Sequence, residues 1–231
     1  MSQQPSVAVV ILNYNGKNYL EKFLPAVLAT VYSNLQIIVG DNASTDDSIA
    51  FLTSNYPNIS IIHNVQNYGF AEGYNRILAQ VKADYYVLLN SDVEVTPNWV
   101  APIIEQMQGD MIIADCQPKI LSYKNKHLFE HAGAAGGFID KFGFCFCRGR
   151  IFFTVEEDIQ QYNSPTEIFW ASGAALFIRA DLYQSQGGLD ADFFAHMEEI
   201  DLCWRLKNHG YKIVYCPYST VYHVGGGTLE Y

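Results

Sequence analysis

The chain has 231 residues, a length that fits one domain; 49% are hydrophobic and 16% charged, which excludes intrinsic disorder and allows a sizeable core. Lys and Arg number 14 against 24 Asp and Glu, and the net charge of −10 argues against a nucleic-acid partner. An anionic ligand on so acidic a chain needs a bound cation or a helix N-terminus at its site.

The chain opens on the polar residues MSQQPS, with no charged leader and no cleavage-like end, so no signal peptide is expected. Residues 7–12 (VAVVIL) form a continuous apolar run, as in a buried parallel strand, and stop at the turn signal Asn13-Tyr14-Asn15-Gly16. Leu20, Phe23, Leu24, Val27, Leu28 and Val31 follow at helical spacing, with Pro25 expected to kink or shorten that helix. Residues 36–40 (QIIVG) are a second strand ending at Asp41-Asn42-Ala43, and Ser44 is placed to cap the next helix, with Asp47 three residues on. Residues 59–63 are a third strand, and residues 70–81 a helix after the Asn67-Tyr68-Gly69 turn. Residues 84–89 (DYYVLL) are a fourth strand, running into Asn90-Ser91-Asp92. Thr96-Pro97 reads as a cap and first-turn proline for a helix over residues 97–107. The first ~110 residues thus alternate strand and helix, the pattern of an open parallel sheet covered on both faces.

Residues 111–165 are glycine-rich and aromatic, with short strand-like pieces and poor periodicity. Residues 169–179 (FWASGAALFIR) are a strand with a small-residue break, residues 198–208 a short helix, and residues 211–216 and 220–224 two strands. The longest near-apolar stretch, residues 168–178, contains Ser172 and is short of the ~20 residues a bilayer span needs. The five cysteines (Cys116, Cys145, Cys147, Cys203 and Cys216) are odd in number and form no CxxC, which disfavours a disulfide framework and a zinc knuckle and suits a reducing cytoplasm. Cys145 and Cys147 would share one face of a strand as packed thiols, and the phenylalanines of residues 142–153 are either packing or an exposed partner patch.

Ligands of open parallel sheets bind beyond the carboxyl ends of the strands, where Asn13-Tyr14-Asn15, Asp41-Asn42 and Asn90-Ser91-Asp92 all fall. Neither GxGxxG after the first strand nor a P-loop is present. Asp92 at a strand tip suits a hard divalent cation that bridges to a diphosphate, although taken singly a turn aspartate is the commoner explanation. His223 ends the strand pattern VYHV before Gly225-Gly226-Gly227, which permit close approach of a phosphate; alone, it reads as an edge histidine. Glu198, Glu199 and Asp201 open a helix, where the helix dipole favours acids in any case. Asp201 and Arg205 are spaced to pair on one face, which Glu198 shares, while Glu199 lies ~200° from Asp201. One acid is therefore free for chemistry while another holds the helix.

Seven segments in order, VVILNYNG, IIVGDNASTDDS, NVQNYGFAEGYN, YYVLLNSDVEV, WASGAALFIR, GGLDADFFAHMEEIDLCWRL and VYHVGGGT, resemble the family 2 glycosyltransferases, in the branch of rhamnosyl- and galactofuranosyltransferase-like enzymes. The resemblance spans residues 7–228 and implies an α/β GT-A fold: an open, mostly parallel nucleotide-binding sheet flanked by helices and merged with a smaller mixed acceptor-side sheet. It implies a single domain over residues 1–231, with a nucleotide-binding half (1–110) and an acceptor-side half (111–231).

The resemblance places Asn13 and Tyr14 on the nucleoside, Asp41 on the base or ribose, and Gly69, Asn75 and Ser91 along the nucleotide. Asn90-Ser91-Asp92 matches the DXD metal motif with Asn in place of the first acid, so Asp92, with Asn90 and His223, is expected to hold Mn2+ or Mg2+. Trp170, Ser172, Gly173 and Ala174 match the strand lining donor sugar and acceptor. Glu199 matches the catalytic base, usually Asp, with Glu198 and Asp201 as rivals beside the same sugar and acceptor. The activity implied is inverting transfer of a hexosyl or deoxyhexosyl unit from a UDP- or dTDP-sugar to a saccharide or lipid-linked hydroxyl, in cell-surface polysaccharide or glycoconjugate synthesis. Such enzymes work in the cytoplasm, including at the inner membrane face. They usually continue with helices that bind acceptor or membrane; the chain, which stops at Tyr231, is expected to lack them, to bind donor and to transfer weakly. The rivals are a sugar nucleotidyltransferase, which would need a basic glycine-rich loop where NYNGKNYL offers only Lys17, and a nucleotide-sugar-binding protein without transfer.

Overall fold

The structure is a computed structural model that describes residues 4–193 and 195–225. Gly226, Gly227 and Thr228 of the glycine-rich end lie outside the described residues. The elements in chain order are β1 (Val7–Asn13), α1 (Lys17–Leu28), β2 (Leu35–Asp41), α2 (Ser48–Asn55), β3 (Ser60–His63), α3 (Ala71–Leu78), β4 (Tyr85–Asn90), β5 (Val93–Val95) and α4 (Ala101–Gly109). There follow β6 (Ile113–Ser122), β7 (Gly137–Ile139), β8 (Cys145–Cys147), β9 (Arg150–Ile151), β10 (Thr154–Val155), β11 (Thr166–Ile168), β12 (Ala175–Arg179), α5 (Ala180–Ser185), α6 (Glu198–Asn208) and β13 (Lys212–His223).

Nine strands form one sheet in the order β11-β13-β6-β12-β4-β1-β2-β3, with β5 also pairing with β13. The pairs β4–β1, β1–β2 and β2–β3 are parallel, as the strand–helix alternation predicts. β12 runs antiparallel to both β4 and β6, and β13 lies parallel to β6. The mixed half therefore extends the parallel sheet edge to edge through β4–β12, and the pieces outside it are the hairpins β7–β8 and β9–β10. Along β1, Val7, Val9 and Ile11 enter the core cluster that holds Leu20 and Leu24 of α1 and Ile103 of α4. Ala8 and Val10 enter the cluster on the other face, with Tyr74 of α3 and Leu202 of α6. Burial on both faces is why this strand reads as an unbroken apolar run.

Several local expectations are corrected. Ser44 does not cap α2, whose N-cap is Asp47; its hydroxyl accepts from the Asn13 side chain and the Asn15 backbone instead. Pro25 stays inside α1, which ends at Leu28 and leaves Val31 exposed outside it. Thr96 and Pro97 do not start a helix: Thr96 donates its hydroxyl to the Thr220 carbonyl, and the first-turn proline of α4 is Pro102. Strand β6 is missing from the sequence reading because Asp115, Gln117 and Lys119 are buried within it, which destroys its alternation. The two C-terminal strands are one, β13, with an irregularity in register between Cys216 and Thr220.

The Trp170 indole lies flat against the Gly137 backbone, where a Cβ would come 2.1 Å from the ring. Gly137→Ala is therefore expected to destabilise the fold by ~1–3 kcal/mol through overpacking. A urea titration that showed no lowered midpoint would contradict this contact.

Candidate active site

The polar ends of β4, β1 and β2 are neighbours because the strands are, and their loops interlock. Asn13 donates from Nδ2 to Ser44 Oγ at 3.0 Å and to Asp41 Oδ1 at 3.4 Å. Ser44 N–H donates to Asp41 Oδ2, which also faces His63 Nδ1 at 3.6 Å. Asn13 Oδ1 is buried with no hydrogen-bond partner among the described residues. Gly16 makes this possible: a Cβ there would lie 2.5 Å from Asn13 Oδ1 and 3.5 Å from Ser91 Oγ, so the first loop touches the third. Asn42 accepts from Asn64 and Tyr68 N–H and donates to Asn67 Oδ1 and the Gly69 carbonyl, holding the turn before α3. Tyr14 stands half exposed at the mouth of these loops.

Asn75 is not brought to this cluster by any contact. Its Oδ1 accepts from Tyr183 OH and Leu189 N–H, and its Nδ2 donates to the Leu189 carbonyl, so it ties α3 to the turn after α5. Tertiary contacts of this kind leave no local sequence signal.

Asp92 and His223, 131 positions apart in the chain, meet because β5 pairs antiparallel with β13 in the register His223↔Val93. His223 Nε2 lies 3.2 Å from Asp92 Oδ1, and Val224 N–H donates to the Asp92 carbonyl. Glu130, which the sequence did not single out, faces the other ring nitrogen, 3.7 Å from Nδ1. Its Oε2 accepts from Ala132 N–H at 2.6 Å, and Gly225, at φ +67°, passes where a Cβ would stand 2.7 Å from its Oε1. Burial alone would depress the imidazole, but the bonds to Asp92 and Glu130 outweigh it and raise His223 to about 10. Asp92 Oδ2 is buried and has no hydrogen-bond partner among the described residues.

On the opposite flank, α6 starts where the sequence places it, at Glu198. The two residues before it, His196 and Met197, are both in the left-handed region, at φ +73° and +74°, a conformation that side chains disfavour and that clusters at functional sites. Asp201 is committed to Arg205 at 2.7 Å, whose other nitrogens donate to the Gln186 and Gly188 carbonyls. It therefore holds the helix and is not free as a base. Glu198 is buried, and desolvation raises its carboxyl. Desolvation, then the nearby Glu198 charge, raises Glu199 to about 7, against backbone hydrogen bonds, Gly173's among them, that pull it down. Glu199 Oε2 has no hydrogen-bond partner among the described residues. One turn on, Cys203 Sγ accepts from Ala171 N–H and donates to the buried Asp115, anchoring α6 against residues 171–173.

The segment 170–174 divides in two. Trp170 and Ser172 are built into the fold: the indole N–H donates to the Phe138 carbonyl, Ser172 Oγ to the Ala132 carbonyl, and Ser172 N–H to Gln117 Oε1. Gly173 and Ala174 connect the flanks. The Cβ position of Gly173 lies 4.0 Å from the Glu199 carboxyl carbon and 3.4 Å from the Phe70 ring, and the Ala174 carbonyl accepts from Asn90 N–H at 3.0 Å. Glu199 and the Asn90–Asp92 loop thus sit at the two ends of one short segment.

The sequence profile described as Glycosyl transferase family 2 matches residues 8–182. The chain belongs to this family. Among curated relatives, the N-acetylglucosaminyl-diphospho-decaprenol L-rhamnosyltransferase of Mycobacterium tuberculosis is 24% identical over 93% of this chain and 75% of its own length. The pre-mycofactocin glycosyltransferase of the same organism is 25% identical over 94% of this chain and 42% of its own. Among solved structures, GalNAc-T7 with UDP, GalNAc and Mn2+ superposes at a TM-score of 0.77 and 17% identity, over 96% of this chain and 44% of that one. The mannosyltransferase PcManGT of Pyrobaculum calidifontis, with GDP-Man and Mn2+, gives 0.67 and 16%, over 98% and 59%. At these identities the structural likeness shows the fold, which is GT-A. The chain spans less than two thirds of both solved chains. Among the described residues, no helix of this family 2 member is long and apolar enough to cross a membrane.

The raised Glu199 carboxyl has a stability consequence. A folded value of about 7 against an ordinary 4.5 means the native state holds this proton more tightly. The resulting stability is complete below ~4.5 and lost as pH rises through ~7. Glu199→Gln, which mimics the neutral acid, should nearly match the parent below about pH 4 and exceed it at pH 8, by up to ~3 kcal/mol. Denaturant midpoints that keep one difference at both pH values would contradict the buried carboxyl.

Proposed function

We propose that this glycosyltransferase transfers a hexosyl or deoxyhexosyl unit, with inversion, from a nucleoside-diphosphate sugar to a saccharide or lipid-linked hydroxyl, with Glu199 as the base. The observation that carries the reading is the pairing, through Gly173 and Ala174, of a desolvated carboxyl with one unpartnered oxygen, Glu199 Oε2, with the Asn90–Asp92 loop. The solved neighbours with UDP or GDP-Man, and the relative named for a diphospho-decaprenol acceptor, support donor and acceptor classes of this kind. UDP and dTDP remain the two donor nucleotides proposed. In this reading the chain is one domain, with residues 1–110 on the nucleotide and residues 111–231 on the acceptor side.

Asn13, Asp41 and Ser91 bind the nucleoside and its phosphates, with Tyr14 beside the base and Gly69 over the nucleotide; Asn75 positions α3 from outside. The residues present fit a divalent cation. A cation here would displace the proton that the carboxylates hold on His223, leaving Nε2 and Asp92 Oδ1, 3.2 Å apart, free to act as neighbouring ligands. Asp92 Oδ2 is left without a partner, as a ligand or water-holding oxygen would be. Among the described residues no group of three or more His, Cys, Asp and Glu is placed to hold a metal, so a cation would rest on Asp92 and His223 together with substrate phosphates and water. Asn90 lies beside this pair. Glu130, on the far ring nitrogen, orients His223 as carboxylates behind ligating histidines do.

When bound, the cation neutralises the charge that develops on the departing diphosphate. Glu199 takes the proton of the acceptor hydroxyl as that oxygen forms its bond to the anomeric carbon, and the bond to the diphosphate oxygen breaks with its electron pair leaving on the nucleotide. Residues 173–174 hold the two flanks in line, and such positioning supplies much of the rate. The Glu198 charge helps hold the base above the ordinary carboxylate range, and Gly173 leaves room beside it.

Glu199→Gln is expected to lower transfer at least ~100-fold while nucleotide affinity by calorimetry changes less than about threefold; unimpaired turnover moves the base elsewhere. In the parent, kcat/KM should fall as pH drops below about 7, where Glu199 becomes protonated; a profile flat from pH 5 to 8 contradicts the assignment. Asp92→Ala should abolish the extra thermal stabilisation that Mn2+ adds to UDP or dTDP, and an undiminished metal effect removes Asp92 from the cation.

A further inference from the structure

The hairpins β7–β8 and β9–β10 present an unusual surface. Phe142 is 75% exposed, Phe144 71%, Ile151 68%, Phe152 85% and Phe153 93%. These residues are held in place by ordered backbone. Asp140 Oδ1 accepts from Phe142 and Phe144 N–H at 2.8 and 2.9 Å, and Phe138 stacks on Phe146 across the first hairpin. In the second hairpin Ile151 pairs with Thr154, so Phe152 and Phe153 are the whole turn, and Phe152 has φ +50°. Glycine or asparagine is the ordinary residue at such a turn position. An aromatic kept there against backbone preference, with its ring in solvent, does not serve the hairpin.

Charge separates this surface from the rest of the molecule. The chain carries −10 overall, yet residues 141–155 hold Lys141, Arg148 and Arg150 and no acid, bounded by Asp140, whose Oδ1 is taken by the Phe142 and Phe144 N–H groups, and by Glu156. None of these cations pairs with a carboxylate among the described residues: Lys141 lies over the Phe142 ring and Arg150 contacts His131, whereas Arg148 is taken into the fold, donating to the Ala135 carbonyl and lying over Tyr162 and Tyr215. The hairpins also border the acceptor flank, since Gly137 bridges to Trp170, three residues before Gly173, and the Cys145 thiol lies within reach of the Glu199 charge.

We propose that the hairpin tips at residues 141–153 dock this protein on an anionic bilayer, the phenylalanines entering the interface and Lys141 and Arg150 facing lipid phosphates. Exposed aromatic rings and cations on convex loops suit the headgroup region, where apolar area and attraction to anionic lipid add. A strongly acidic protein would otherwise be repelled by that surface, so the local cations also orient it. Docking here brings the Glu199 flank to face the bilayer. Only that last purpose rests on the function proposed above; docking itself does not.

The test is sedimentation of the whole chain, without donor or acceptor, with vesicles of phosphatidylethanolamine and phosphatidylglycerol (about 7:3), and with phosphatidylcholine vesicles alone. The expected result is binding to the anionic vesicles, weakened at least tenfold by 0.5 M salt or by the triple change Phe142→Ser, Phe152→Ser and Phe153→Ser. Lys141→Glu should weaken it less, and UDP binding should be unchanged in every variant, which reports that they fold. Glu199→Gln should bind vesicles like the parent, so loss of transfer and loss of docking are read separately. Absence of vesicle binding, equal binding to phosphatidylcholine, or binding untouched by the triple change overturns the proposal. So does a triple variant whose only difference is loss of a dimer, which would assign the surface to a second copy.

Discussion

The hydrogen bond from Asn90 N–H to the Ala174 carbonyl fixes the spacing on which the site depends. It extends the β4–β12 ladder by one step and joins a parallel, nucleotide-facing half to an antiparallel half that carries Gly173. Beyond it, the backbone on each side turns directly into chemistry: Ser91 and Asp92 on one flank, Gly173 against Glu199 on the other. Any shift in this ladder changes the separation of carboxyl and diphosphate loop together. Sheet pairing thus does for this site what long, flexible side chains could not do, because it sets the distance before substrate arrives.

The two flanks are electrostatically opposed in design. At the Asp92 flank, His223 lies between Asp92 and Glu130, a buried cluster in which each carboxylate faces a different ring nitrogen. At the Glu199 flank, two carboxyls share one helix turn after two residues with positive φ, and desolvation with mutual repulsion lifts Glu199. The second arrangement opposes stability: buried like charges and left-handed side-chain residues are unfavourable, and they persist because the surrounding sheet and Cys203 hold α6 in place.

Much of the first half was legible because its physics is local. Apolar runs mark strands buried on both faces, and polar triplets mark their ends. Helix α6 was placed over its observed residues, and the pairing of Asp201 with Arg205 followed from helical spacing. What escaped is non-local. β6 hides behind buried Asp115, Gln117 and Lys119, whose partners lie far along the chain: Lys119, for example, reaches Asp158 and Asn163. β5 was passed over, and Thr96 and Pro97 after it were read as a helix start because they carry a capping signature, while the structure uses Thr96 to hold Thr220. Glu130 gave no signal at all, since its place comes from residues 129–134 folding back on Ile120 and Leu121 of β6, the strand beside β13. Trp170, Ser172 and Asn75 sat in recognisable segments, yet their polar groups are taken up by the protein itself. Family resemblance marks a segment more reliably than it marks which side chain in it faces the ligand.

The central claim is that Asp92 and His223 share one cation on the diphosphate flank while Glu199 faces the sugar from the other. Crystals soaked with Mn2+ and a non-hydrolysable UDP- or dTDP-sugar, with data collected at the manganese edge, test it directly. The account predicts one anomalous peak within coordination distance of Asp92 and His223 Nε2, in contact with both phosphates, and the anomeric carbon on the Glu199 side of it. A manganese peak bound elsewhere, or a sugar directed away from Glu199, would contradict it.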